Sequence, residues 1–171
     1  MGVDPGLTRC GVAVVEGRPG ARPALIAAGV VRTGPDMPHE YRLLRLEEGL
    51  TEWYDGYRPE ALSIERVFAQ HNLHSVTGIS QAAGIAMLIG ARHATPVELH
   101  TPSEAKAAVT GSGHADKKQV GTMVARILGL AEPPRPIDAA DAVALAITQL
   151  WRGEVENKYA QAVAAARRKV S

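Results

Sequence analysis

Two periodicities divide the chain. Up to about residue 33 the apolar positions fall in short runs broken by turn residues, and after residue 40 they recur every three or four positions. Met1 to Val3 is a short apolar run that delivers Asp4 at its end, and Pro5-Gly6 then forces a reversal, because proline removes a donor and glycine permits positive φ. Arg9 to Glu16 and Ala24 to Thr33 read as two more strands on either side of Gly17-Arg18-Pro19-Gly20. Three strands joined by short turns predict an antiparallel meander. Leu43, Leu44, Leu46, Leu50, Trp53 and Tyr54 follow at helical spacing, with Arg42, Arg45, Glu47, Glu48 and Glu52 on the other side, so an amphipathic helix is expected up to about Gly56. Ala61 to Glu65 is a fourth strand, reached through a helix and so expected parallel to the first.

The second half reads mainly as helix. Ser75 to Ala94 is a long helix rich in glycine and alanine, which predicts close approach to the sheet or to the same helix of a second subunit. Val97 to His100 is a fifth strand. Thr101-Pro102-Ser103-Glu104 has the cap, proline and glutamate spacing of a helix start, and Asp116 with Gln119 opens another helix through about Leu128. Glu132 to Pro136 is a stiff connector into a last core helix that begins around Asp138. The expected architecture is α/β: a five-stranded mixed sheet, three antiparallel strands then two parallel, flanked by helices. One domain covers 1–151, and a basic tail with Arg167-Arg168-Lys169 covers 152–171.

Composition narrows the function. At 46% hydrophobic and 22% charged residues the 171-residue chain is typical of globular proteins, and a net charge of only +1 means that any nucleic-acid affinity must come from clustered charge. A single cysteine, Cys10, excludes an internal disulfide, and no Cys or His pairs stand at zinc spacing. The longest apolar-leaning stretch, Ile79 to Ala94, carries Gln81 and Arg92 and is short for a bilayer span. A cytoplasmic protein without membrane contact is the expectation.

Four carboxylates sit at element ends: Asp4, Glu65, Asp138 and Asp141. Each has a plainer reading, since Asp4 could simply shape its turn and Asp138 and Asp141 could cap a helix and favour its dipole. Brought together, they would repel unless divalent cations neutralised them. Oxygen ligands without thiolate or imidazole point to Mg²⁺ or Mn²⁺, and two such ions about 3.5–4 Å apart can clamp the attacking water and leaving oxygen of a phosphodiester. Phe68, the only phenylalanine, follows Glu65 and reads either as a core plug or as an aromatic placed to stack on a base. Lys106, Lys117 and Lys118 flank the loop Gly111 to Ala115 and read either as DNA contacts or as solvated surface. That loop lacks the Gly-Lys-Ser/Thr of a nucleotide-phosphate cradle.

The combination of Gly2-Val3-Asp4-Pro5-Gly6-Leu7-Thr8-Arg9-Cys10-Gly11, Ile64-Glu65-Arg66-Val67-Phe68 and Asp138-Ala139-Ala140-Asp141-Ala142 resembles the RuvC family of Holliday junction resolvases, in the ribonuclease H-like superfamily. The resemblance runs to about Trp151. It implies a homodimeric endonuclease, dependent on two Mg²⁺ ions per subunit with Mn²⁺ able to substitute, that nicks two strands of a four-way DNA junction symmetrically in recombination and repair. It implies Asp4, Glu65, Asp138 and Asp141 as catalytic metal ligands, Phe68 as the residue engaging unpaired bases, and Lys106 and Lys117 near the phosphates. It also implies dimerisation through helix 75–94 and work alongside the RuvA–RuvB branch-migration complex. Only Met1 to Val3 precede Asp4, fewer residues than the family's first strand usually holds. Three other readings are weighed. One is a protein that holds junctions without cutting, and another is a related ribonuclease H-like nuclease acting on RNA. The third is an actin-like ATPase, whose Asp-x-Gly-x-Thr turn Asp4, Gly6 and Thr8 fit but whose second phosphate loop has no counterpart here.

Overall fold

A computed structural model describes residues 1–18, 20–67, 73–136 and 138–152. Five strands form one sheet: β1 (Gly2–Asp4), β2 (Arg9–Glu16), β3 (Ala24–Arg32), β4 (Leu62–Glu65) and β5 (Val97–His100). The helices are α1 (His39–Tyr57), α2 (Leu73–Arg92), α3 (Pro102–Thr110), α4 (Lys117–Leu128) and α5, which spans 138–152. The spatial order is β3-β2-β1-β4-β5. β2 pairs antiparallel with β1 and β3, and β4 lies parallel to both β1 and β5, as the lengths of the connections predicted.

Helices cover both faces of the sheet, so its central strands are apolar on both sides rather than alternating. Val3, Cys10, Val12, Val31 and Ile64 point to one face and pack with Leu46, Leu50 and Tyr54 of α1 and Ala82, Ala86 and Ile89 of α2. Ala13 points to the other and packs with Val120 and Val124 of α4 and Ala142, Val143 and Ile147 of α5. α1 departs from its expected stripe at Leu44, which is exposed: the buried set Leu46, Gly49, Leu50 and Tyr54 defines a narrower face that leaves Leu44 outside it. The small residues of α2 bring it close to the sheet, where a Cβ on Gly90 would lie 2.4 Å from Val97 Cγ2, whereas Gly84 faces open space.

The helix starts read from sequence are present. Thr101 and Glu104 form a reciprocal capping box at α3, and Asp116 and Gln119 form one at α4. No helix among the described residues is long and apolar enough to cross a membrane.

Candidate active site

β1 is only three residues long, but it is the inner strand of the sheet, hydrogen-bonded to β2 on one side and β4 on the other. Val3 stands opposite Ile64 in the parallel pair, so the next residues, Asp4 and Glu65, emerge side by side where both strands end. Side chains alternate across a strand, so with Val3 and Ile64 in the core on the α1–α2 side, Asp4 and Glu65 face α5. That helix lies unusually close to the sheet. A Cβ on Gly2 would sit 2.0 Å from the carbonyl oxygen of Ala142, and one on Gly11 would sit 2.2 Å from that of Asp138. Bare backbone at these two positions allows the acidic first turn of α5 to reach Asp4.

Asp4, Glu65 and Asp141 line one cleft of about 230 Å³, with Lys106 of α3 and Lys117 of α4 on its other wall. Lys117 Nζ donates to Asp141 Oδ2 at 2.9 Å, a contact that holds the ammonium pKa above its usual value. Burial, followed by the charges of Glu65 and Asp141, pushes the Asp4 carboxyl up to about 8. Burial and Asp141 also raise Glu65, while Lys117 and Lys106 oppose the rise. These acids crowd a poorly hydrated space where ionisation of one resists ionisation of the next.

Asp138 is drawn aside. It shares a face of α5 with Asp141, yet its Oδ2 accepts from Arg9 Nε at 2.5 Å, and it is not among the residues lining the cleft. It also stands within the helix and not as the capping residue ahead of it. As the side chains stand, no three His, Cys, Asp or Glu among the described residues form a group that could hold a metal ion. The donor set nevertheless suits a hard cation: oxygen only, mutually repelling, and gathered at one opening. Lys118 is exposed on α4 and does not line the cleft. Phe68 lies outside the described residues.

Arg9 was not singled out from the sequence, whose strand pattern does not show what that residue faces. It lies two residues before Gly11 in the same strand, so the two share the face that meets Asp138.

A family model described as "Crossover junction endodeoxyribonuclease RuvC" matches residues 1–149. A crossover junction endodeoxyribonuclease RuvC of Cutibacterium acnes is 63% identical over 168 residues, 98% of this chain and 86% of that one. One of Thermobifida fusca is 59% identical over 162 residues, 95% of this chain and 89% of its own. Among solved structures, the T. thermophilus RuvC in complex with a Holliday junction substrate superposes with a TM-score of 0.84 at 34% identity, over 91% of this chain and 94% of that one. The yeast mitochondrial Holliday junction resolvase shares the fold, with a TM-score of 0.63 at 11% identity over 91% of this chain and 81% of its own.

Proposed function

Since the chain belongs to the RuvC family of crossover junction endodeoxyribonucleases, a family of metal-dependent nucleases, we propose that it resolves four-way DNA junctions by paired, symmetric hydrolysis of phosphodiester bonds. The observation that carries this reading is the meeting of Asp4, Glu65 and Asp141 in one cleft opposite Lys106 and Lys117.

In this reading Asp4, Glu65, Asp138 and Asp141 are the catalytic ligands. They would hold two Mg²⁺ ions per subunit, replaceable by Mn²⁺, which would supply Lewis acidity and lower the pKa of a bound water. Asp4 and Glu65 form the fixed part of the ligand set, because each terminates a hydrogen-bonded inner strand. Asp141 and Asp138 complete it from α5 by giving up Lys117 and Arg9. Lys117 and Lys106 then face the incoming backbone as phosphate contacts, with Lys118 adding to the field from α4. Phe68 stacks on unpaired bases at the crossover.

Symmetric nicks need two copies of the site. We assign the dimer contact to α2, whose Met87 and Leu88 are exposed at 38% and 48% on the side away from the sheet. The setting is the cytoplasm, beside the RuvA–RuvB motor, and the domain is residues 1–151 with 152–171 as a basic tail. Cleavage of a synthetic four-way junction, compared with a linear duplex and with and without Mg²⁺, tests the function. Cuts at symmetric positions in the junction, absent from the duplex and from the metal-free reaction, are expected. Binding without cutting would make the chain a junction-holding protein instead.

A further inference from the structure

The turn that follows Asp4 is held from outside the cleft by α1 and the end of β3. Arg42 Nη2 donates to Thr8 Oγ1 at 2.6 Å and its Nε donates to Thr33 Oγ1 at 2.9 Å. The Thr33 hydroxyl donates in turn to the carbonyl oxygen of Leu7 at 2.6 Å, and the Thr33 amide donates to that of Thr8 at 3.2 Å. One guanidinium and one buried threonine thus fix consecutive residues of the turn. On its other flank, Leu7 lies against Gly78 of α2, where an added Cβ would come within 3.3 Å of the leucine. Arg42 makes no ion pair among the described residues. It also stands in the first turn of α1, where the helix dipole disfavours a cation. Neither charge neutralisation nor helix stability explains an arginine here, but the two-pronged grip on Thr8 and Thr33 does.

We propose that Arg42, acting through Thr33 and Thr8, is a positioning residue that holds the Pro5–Thr8 turn and so fixes the direction in which Asp4 enters the active site. β1 ends at Asp4, so beyond it no sheet hydrogen bond of that strand constrains the chain. The clamp takes over where the ladder stops. Loosening it lets Asp4 swing by a fraction of an ångström while the sheet stays intact.

This rests on the nuclease reading, and the test separates the two. Single-turnover cleavage of a four-way junction at saturating enzyme, junction binding in EDTA, and hydrogen exchange of the residue-33 amide are measured for the parent, Arg42→Ala, Arg42→Lys and Thr33→Val. Expected for Arg42→Ala are a cleavage rate lower by about ten- to a hundredfold, binding within about twofold, and faster exchange at the Thr33 amide, which donates to the Thr8 carbonyl. Arg42→Lys, which can reach one hydroxyl but not both, should fall between Ala and the parent. Thr33→Val keeps the packing and loses the grip, so it should follow Arg42→Ala in rate with little change in melting. Unchanged cleavage and exchange in Arg42→Ala, with the parent active, overturns the clamp and leaves the nuclease reading standing. Weaker binding with a shallower salt dependence at an unchanged rate also overturns it, and makes Arg42 a phosphate contact. A parent that cuts no junction fails the nuclease reading itself.

Discussion

Gly11→Ala tests the closest packing around the site. The new Cβ would lie 2.2 Å from the Asp138 carbonyl oxygen, 3.0 Å from its carbon and 3.3 Å from Asp4 Cβ. The atoms it meets at Asp138 are backbone, so no side chain can rotate away. Reaching ordinary contact means moving the first turn of α5 outward by about 1 Å, or bending β2 by as much. Overpacking of this kind costs about 1–3 kcal/mol. A displacement near 1 Å between groups that must act together can also lower a catalytic rate about a hundredfold. Urea unfolding should therefore show a midpoint shift worth about 1–3 kcal/mol. Single-turnover junction cleavage, corrected for the folded fraction, should fall by about two orders of magnitude. The control is Gly56→Ala on α1, whose added Cβ meets nothing within 4 Å. Stability within about 0.5 kcal/mol of the parent, together with an unchanged rate, would show that α5 does not depend on bare backbone at residue 11.

Four other outcomes are expected. Asp4→Asn should abolish cleavage while leaving junction binding in EDTA nearly intact, because the amide replaces a carboxyl that keeps its proton there; a collapsed melting transition would return Asp4 to a turn-shaping role. In EDTA, the folded Asp4 carboxyl keeps its proton up to about pH 8 while the unfolded one loses it near 3.8, so stability should fall as pH rises between those values, by at most about 1.4 kcal/mol per pH unit. Denaturation midpoints at pH 5 and pH 8 check this, and Asp4→Asn should flatten the difference. Lys117→Ala should weaken binding to all junction sequences alike and reduce the salt slope by about one; an unchanged slope would mark it as ordinary surface. Phe68→Ala should melt close to the parent and cut far more slowly, losing about 1–3 kcal/mol of interaction with the crossover, whereas a core residue would lose stability and keep its rate per folded molecule.

The strand order and the acids at strand ends could be read before the structure because both depend on local rules. Short turns force antiparallel pairing, a helical connection permits parallel pairing, and a strand's last residue must lie at the sheet's edge. What stayed hidden depends on contacts between distant segments. Asp138 and Asp141 are equivalent by helical spacing, but Arg9, 129 residues away, takes one and Lys117 takes the other. Arg42 read as one more polar residue on the solvated side of an amphipathic helix, because nothing in that periodicity shows that Thr8 and Thr33 lie within its reach. Nothing in the strand pattern marks Gly2 and Gly11 as the residues that α5 lies against.

The pairing of charges explains why the acids differ from one another. Arg9 neutralises Asp138 and Lys117 neutralises Asp141, while no ion pair reaches Asp4 or Glu65 among the described residues. Of these two, Glu65 is eased by the fields of both Lys106 and Lys117, whereas Asp4 has Lys117 alone against three other carboxylates. Asp4 is therefore the group for which ionisation is hardest within the protein's own resources, and the one that would gain most from a divalent cation bound beside it. In the proposed metal site Arg9 and Lys117 would work in the opposite direction, since each would have to be drawn off a carboxylate before that oxygen could serve as a ligand. In that reading a phosphate backbone entering the cleft would offer both cations another anion, so DNA binding and release of Asp138 and Asp141 would favour each other. The consequence is reciprocal coupling: junction DNA should tighten the binding of divalent cations, and divalent cations should tighten the binding of junction DNA by the same factor.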